Sequence, residues 1–128
     1  FDHLGVATCA SSVCHGSPIE RVQSNINQNE YIIWQNEDLH AKAYQVLLNE
    51  RSKKIAKNLG IGKAHEAKIC LDCHTDNVAK EKRGDKFLLS DGVGCEACHG
   101  GSEKWLDKHT SGDHKQSLAL GLIPLDDT

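Results

Sequence analysis

A single, mostly α-helical and loop-rich domain over residues 1–128, with a core built only in part from side chains, is the fold class the sequence predicts. Three observations predict it. Phe, Trp and Tyr total six in 128 residues, too few large rings to fill the core of a chain this long. Eleven glycines dot the chain, its helical stretches are short, and no βαβ pattern is visible. A triplet of cysteine, cysteine and histidine occurs three times, in CASSVCHG (9–16), ICLDCH (69–74) and GCEACHG (94–100).

The first element is the triplet itself. In C-x-x-C-H the two cysteine sulfurs form thioethers with the vinyl groups of a haem, and the histidine that follows turns back to ligate the iron. Cys70, Cys73 and His74 make one such site, and Cys95, Cys98 and His99 another. Cys9, Cys14 and His15 repeat the pattern with a spacer of four residues. Together the three sites account for all six cysteines and imply three covalently attached c-type haems, whose flat apolar mass supplies the core the side chains lack. A disulfide framework would explain an even cysteine count but not the histidine after each pair. Structural zinc on the two C-x-x-C pairs leaves the same histidine unexplained.

The stretch NEDLHAKAYQVLLNERSKKIAKNLGIG comes next along the chain. Asn36 reads as an N-cap, Gly60 as a stop, and a break or cap near Ser52 divides two short helices. At helical spacing His40 shares a face with Ala43, Tyr44, Leu47 and Leu48, which makes it the clearest candidate for a second axial ligand. The chain contains no methionine, so a His/Met haem cannot form within it and histidine must fill both axial positions or leave one open. Beyond the three proximal histidines, five remain: His3, His40, His65, His109 and His114. His109 and His114 flank a Ser-Gly turn after the third motif, and one of them is expected on an iron. His3 on the N-terminal arm and His65 before Cys70 are further candidates, each with a polar-surface reading of its own.

The glycines of DGVGCEACHGG are expected to let backbone approach the macrocycle closely. No apolar run reaches the 18 or so residues of a membrane span. Haem attachment of this type is completed outside the cytoplasm, so an export signal is expected to have been removed and the protein to be periplasmic or extracellular. A net charge of −3 disfavours a nucleic-acid role, and redox proteins are the expected partners.

The order CASSVCHG, IIWQNEDLHAKAY, ICLDCHTDN and GVGCEACHGGSEKW, with a histidine shortly after, resembles the multihaem cytochromes c of the cytochrome c-554 type, which share haem packing with hydroxylamine oxidoreductase and with some filament-forming cytochromes. The likeness runs from about residue 3 to residue 125. It implies a trihaem version, or the N-terminal part of a tetrahaem protein, with His40 distal on the haem of His99 and His109 or His114 distal on that of His15. By the same resemblance the haem on His74 is open or capped by His3 or His65. Electron transfer through mainly bis-histidine haems is the function implied. Redox chemistry on nitrogen oxides or hydroxylamine at an open haem, or a place in a cytochrome filament or larger haem complex through self-association, are the alternatives. The four-residue spacer of the first motif departs from the two usual in the family.

Overall fold

The computed structural model describes residues 1–23 and 26–125. Among them six α-helices, none longer than ten residues, alternate with single turns of 3-10 helix, and the sole β feature is an isolated bridge between His3 and Arg83. The predicted mostly α, loop-rich class is what is observed. No described helix is long and apolar enough to cross a membrane.

Helix α1 (Glu30–Glu37) starts with a glutamate in its first turn, where a carboxylate meets the positive end of the helix. Its Trp34 donates Nε1–H to the Val93 carbonyl (2.9 Å), which ties the helix to the loop leading into the third motif. Asp38 ends α1 in an extended conformation and accepts the His40 N–H on its carboxylate (2.9 Å), opening a 3-10 turn at Leu39–Lys42; a second turn follows at Gln45–Leu48. This corrects the sequence expectation for the stretch. Asn36 lies inside α1 and caps nothing, and residues 39–48 form two tight turns in place of an α-helix. The reason is local competition, since the Asp38 carboxylate takes an N–H that a continuing α-helix would need. In 3-10 geometry residues three apart eclipse one another, so His40 leaves the face of Leu47. Leu47 is buried while the His40 side chain is 67% exposed.

Helix α2 (Glu50–Leu59) has its cap at the break expected near Ser52: Asn49 Oδ1 accepts the Ser52 N–H at 2.8 Å. Gly60 ends it at φ +67°, a left-handed position that favours glycine. Through Ala56 this helix stands on helix α3 (Lys68–His74) and on the turn Ala64–Glu66. Leu47, Ala56, Ala64 and Leu71 form the core there, with Tyr44, Ile61, Leu89 and Cys70 packed around them. Only Val6 and Trp105 add further buried apolar side chains among the described residues. Sixteen large apolar side chains face outward, among them Val13 beside Cys14, Leu39 beside His40 and Ile69 beside Cys70. Val13 and Ile69, each next to an attachment cysteine, are apolar surface of the kind that a flat apolar group would cover.

Helix α4 (Cys95–His99) carries the third motif, and α5 (Leu106–Thr110) and α6 (His114–Ala119) form a hairpin about the expected Ser111-Gly112 turn. Asp113 caps α6 by accepting the Gln116 N–H (3.0 Å). The N-terminal arm runs across this half of the molecule. His3 donates its N–H to Lys82 and accepts that of Gly84 (2.8 Å each), and Asp2 accepts the N–H of Glu103. The arm comes so close to the chain after α4 that a Cβ on Gly101 would lie 2.6–2.7 Å from the carbonyl oxygens of Phe1 and Asp2 and from His3 Cδ2. Gly101 therefore serves backbone-to-backbone approach within the protein, a use the sequence reading did not foresee.

Candidate haem-binding sites

Helices α3 and α4 place the second and third motifs on one helical turn each. Cys70 and Cys73, like Cys95 and Cys98, fall three residues apart on one face, and the histidine that follows ends the helix. The first motif reaches the same closure differently. Its two extra residues loop out in a turn held by Cys14 N–H to Ser11 O (2.9 Å), and His15 N–H bonds back to Cys9 O (3.1 Å), spanning six residues where a helix spans four. The longer spacer thus still brings the second cysteine and its histidine back to the first cysteine.

All six cysteines are free of disulfides. Among the described residues no group of three or more His, Cys, Asp or Glu side chains converges as a metal cluster, so the two C-x-x-C pairs do not come together in the manner of a zinc ribbon. One pair of cysteines from different motifs comes close enough to interact, Cys9 with Cys95. As a free thiol Cys9 is pushed far above the ordinary range, first by its interaction with Cys95 and then by burial, and Cys95 is pulled down by the same interaction. The attachment points of the first and third haem sites are therefore neighbours.

Six of the eight histidines have Nδ1 engaged by a protein oxygen. His15 meets Glu30 Oε1 (2.8 Å), His74 donates to Ala43 O (2.8 Å), and His99 donates to Ile123 O (3.0 Å). His3 meets Asp76 Oδ2 (2.6 Å), His40 meets Asp38 Oδ1 (2.8 Å), and His109 donates to Leu106 O. A carbonyl oxygen can only accept, so in His74, His99 and His109 Nδ1 carries a proton, which leaves Nε2 as the atom that could ligate a metal. That is the state an iron ligand requires, and an oriented Nδ1 is the usual support of a metal-bound imidazole. Of the other two, His65 lies edge-on to Tyr44 with Nε2 4.0 Å from Glu66, and the exposed His114 opens α6 without such an acceptor.

The rings of His15 and His109 are parallel to within 8° with centroids 6.2 Å apart. The first motif and α5 thus bring one imidazole each to the same place in nearly the same orientation. Trp105 stands perpendicular to His109 with centroids 5.1 Å apart and holds that ring in place. Of the two histidines that the sequence left undecided, His109 is the one facing His15. The donor types and the pairing of the two rings, each with Nδ1 engaged by the protein, fit residues that would hold a haem iron between them.

The other candidates are placed as follows. His40 accepts the Val93 N–H on its carbonyl (3.0 Å), which sets it beside the entry to the third motif. Its neighbour Ala43 lies behind His74, on the Nδ1 side of that ring. His3 is held between the second and third motifs by Asp76 and the arm. Sequence reasoning missed the supporting groups Glu30, Asp76 and Glu96. Glu30 and Asp76 meet their histidines across 15 and 73 residues, and no local pattern marks such partners. Glu96 does not stand out in the sequence either, since Asp72 lies in the same way between Cys70 and Cys73.

A family model described as cytochrome c554 and c-prime matches residues 8–100, more than two-thirds of the chain. Searches of curated proteins and of solved structures found no match.

Proposed function

The chain belongs to the cytochrome c554 and c-prime family, and from that premise we propose that it transfers electrons through three covalently bound c-type haems outside the cytoplasm, exchanging them with redox partner proteins. A haem iron supplies the one-electron ferric–ferrous couple; the chain's own residues attach, orient and space the haems. Cys9 and Cys14, Cys70 and Cys73, and Cys95 and Cys98 hold one haem each, with His15, His74 and His99 as the proximal ligands.

The observation that carries this reading is the facing pair His15 and His109, each with Nδ1 occupied elsewhere. It supports bis-histidine ligation of the first haem. Bis-histidine ligation of the third, by His99 and His40, is what the family resemblance implies, and the bond from the Val93 N–H to the His40 carbonyl, which sets His40 beside the entry to the third motif, supports it. The contact between Cys9 and Cys95 supports a close approach of the first and third haems, as electron hopping requires.

One observation favours a second reading at the second haem. Asp76, which anchors His3 by Nδ1, lies only two residues beyond His74. With its Nδ1 held by a carboxylate so near the proximal histidine in sequence, His3 serves as a pin for the arm, and a haem on His74 would be left open to a small nitrogen or oxygen species. Low-temperature EPR of the oxidised protein tests both readings. Low-spin signals from two haems and a high-spin signal from one are expected. An entirely high-spin spectrum would contradict the bis-histidine assignments, and an entirely low-spin one would contradict the open second haem.

A further inference from the structure

Glu96 is 4% exposed and sits between the two cysteines of the third motif, yet neither attachment nor ligation needs it. Its oxygens receive three backbone N–H groups: Leu4 at 2.9 Å and Ser102 at 2.7 Å on Oε2, and Gly5 at 2.6 Å on Oε1. Among the described residues no lysine, arginine or histidine forms an ion pair with it. Three backbone donors converge on this carboxyl, and burial leaves a charge there little screened. Two of those donors belong to the arm that runs on into Cys9, and the third follows His99.

We propose that Glu96 sets reduction potentials: its buried negative charge holds the first and third haems at lower potential than the second. The inference rests on the trihaem reading. The ferric state of each iron carries one more positive charge than the ferrous state, so a nearby fixed anion favours ferric and lowers the potential. The charge of Glu96 acts at both sulfurs that would carry these haems, Cys9 and Cys95, and Asp91 adds the same sign at Cys95. Helix α3, with the second site, has Asp72 between its own two cysteines, but that carboxylate is exposed to solvent and paired with Lys68 at 2.6 Å, so its charge is screened and neutralised where that of Glu96 is not. Electrons entering at the first or third haem would then come to rest on the haem of His74, the one whose sixth position is read above as available. The buried anion gives the haem array a direction.

The experiment is a spectroscopic redox titration of Glu96→Gln against the wild-type holoprotein at one pH and one ionic strength, with intact mass and EPR on the same samples. Two of the three midpoint potentials are expected to rise in Glu96→Gln while the third stays. The EPR spectrum should be unchanged, and Glu81→Gln, an exposed acid, should leave all three potentials where they were. Unmoved potentials, or an equal rise in all three, would overturn the proposal. If Glu96→Gln fails to acquire its haems, Glu96→Asp decides, because it keeps the charge and shortens the side chain. Wild-type potentials in Glu96→Asp support the electrostatic role, and a raised pair overturns it. A wild-type mass short of three haems would instead break the trihaem reading, which the mass reports independently of any difference between variants.

Discussion

Replacing His109 with alanine removes the ring that faces His15 at 6.2 Å and leaves His114 five residues away at the start of α6. The effect follows from the geometry. One iron of three loses its sixth ligand, so the reduced variant should bind one equivalent of carbon monoxide per chain beyond the wild type. The oxidised variant should gain a high-spin signal worth one haem. Trp105 also loses its perpendicular partner at 5.1 Å, a kind of contact worth about 0.5–1.5 kcal/mol, so a stability loss of about that size should accompany the spectral change. His114 is exposed and its ring has no Nδ1 acceptor, so His114→Ala should bind no additional carbon monoxide and change stability by less than about 0.5 kcal/mol. Carbon monoxide difference spectra of both variants, with denaturant melts on the same samples, provide the assay. An iron opened by His114→Ala and left closed by His109→Ala would refute the reasoning from ring geometry.

Other perturbations probe the scaffold. Gly101→Ala puts a Cβ 2.6–2.7 Å from Phe1 O, Asp2 O and His3 Cδ2 and should cost about 1–3 kcal/mol by lifting the arm, read as faster hydrogen exchange at the Leu4 and Gly5 amides; unchanged exchange would contradict the packing described. Asn49→Ala removes the cap of α2 and should lower stability by about 1 kcal/mol in a urea melt, with Asn49→Asp largely retaining it. Asp38 is held below its ordinary range, first by the backbone N–H of His40 and also by its ring. Its contribution is thus complete above the ordinary carboxylate range and lost as the pH falls through the lowered folded value. Hydrogen exchange at the His40 amide should show protection fading across that acidic window in the wild type and a flat profile in Asp38→Asn.

The cytochrome family was legible in the sequence because thioether chemistry is local: two cysteines and a histidine within one turn of chain declare themselves by spacing. The Gly60 stop and the Ser111-Gly112 turn were legible for the same reason, since each depends on a single residue's backbone freedom. Residues 39–48 were misread because apolar residues at i and i+4 fit an α-helix. Asp38 diverts the first N–H, and the chain tightens into 3-10 turns instead. Spacing left His109 and His114 equivalent, and only the approach of α5 to the first motif distinguishes them. Glu96 was out of reach because its partners at residues 4 and 5 lie more than 90 positions away.

The central claim is that all three triplets, the long-spaced first one included, carry a covalent haem. An intact mass of the purified, unfolded protein, taken before and after iodoacetamide, tests it most directly. The account predicts a mass excess of three haems and no alkylated cysteine. An excess of two haems, with Cys9 and Cys14 taking up the reagent, would contradict it.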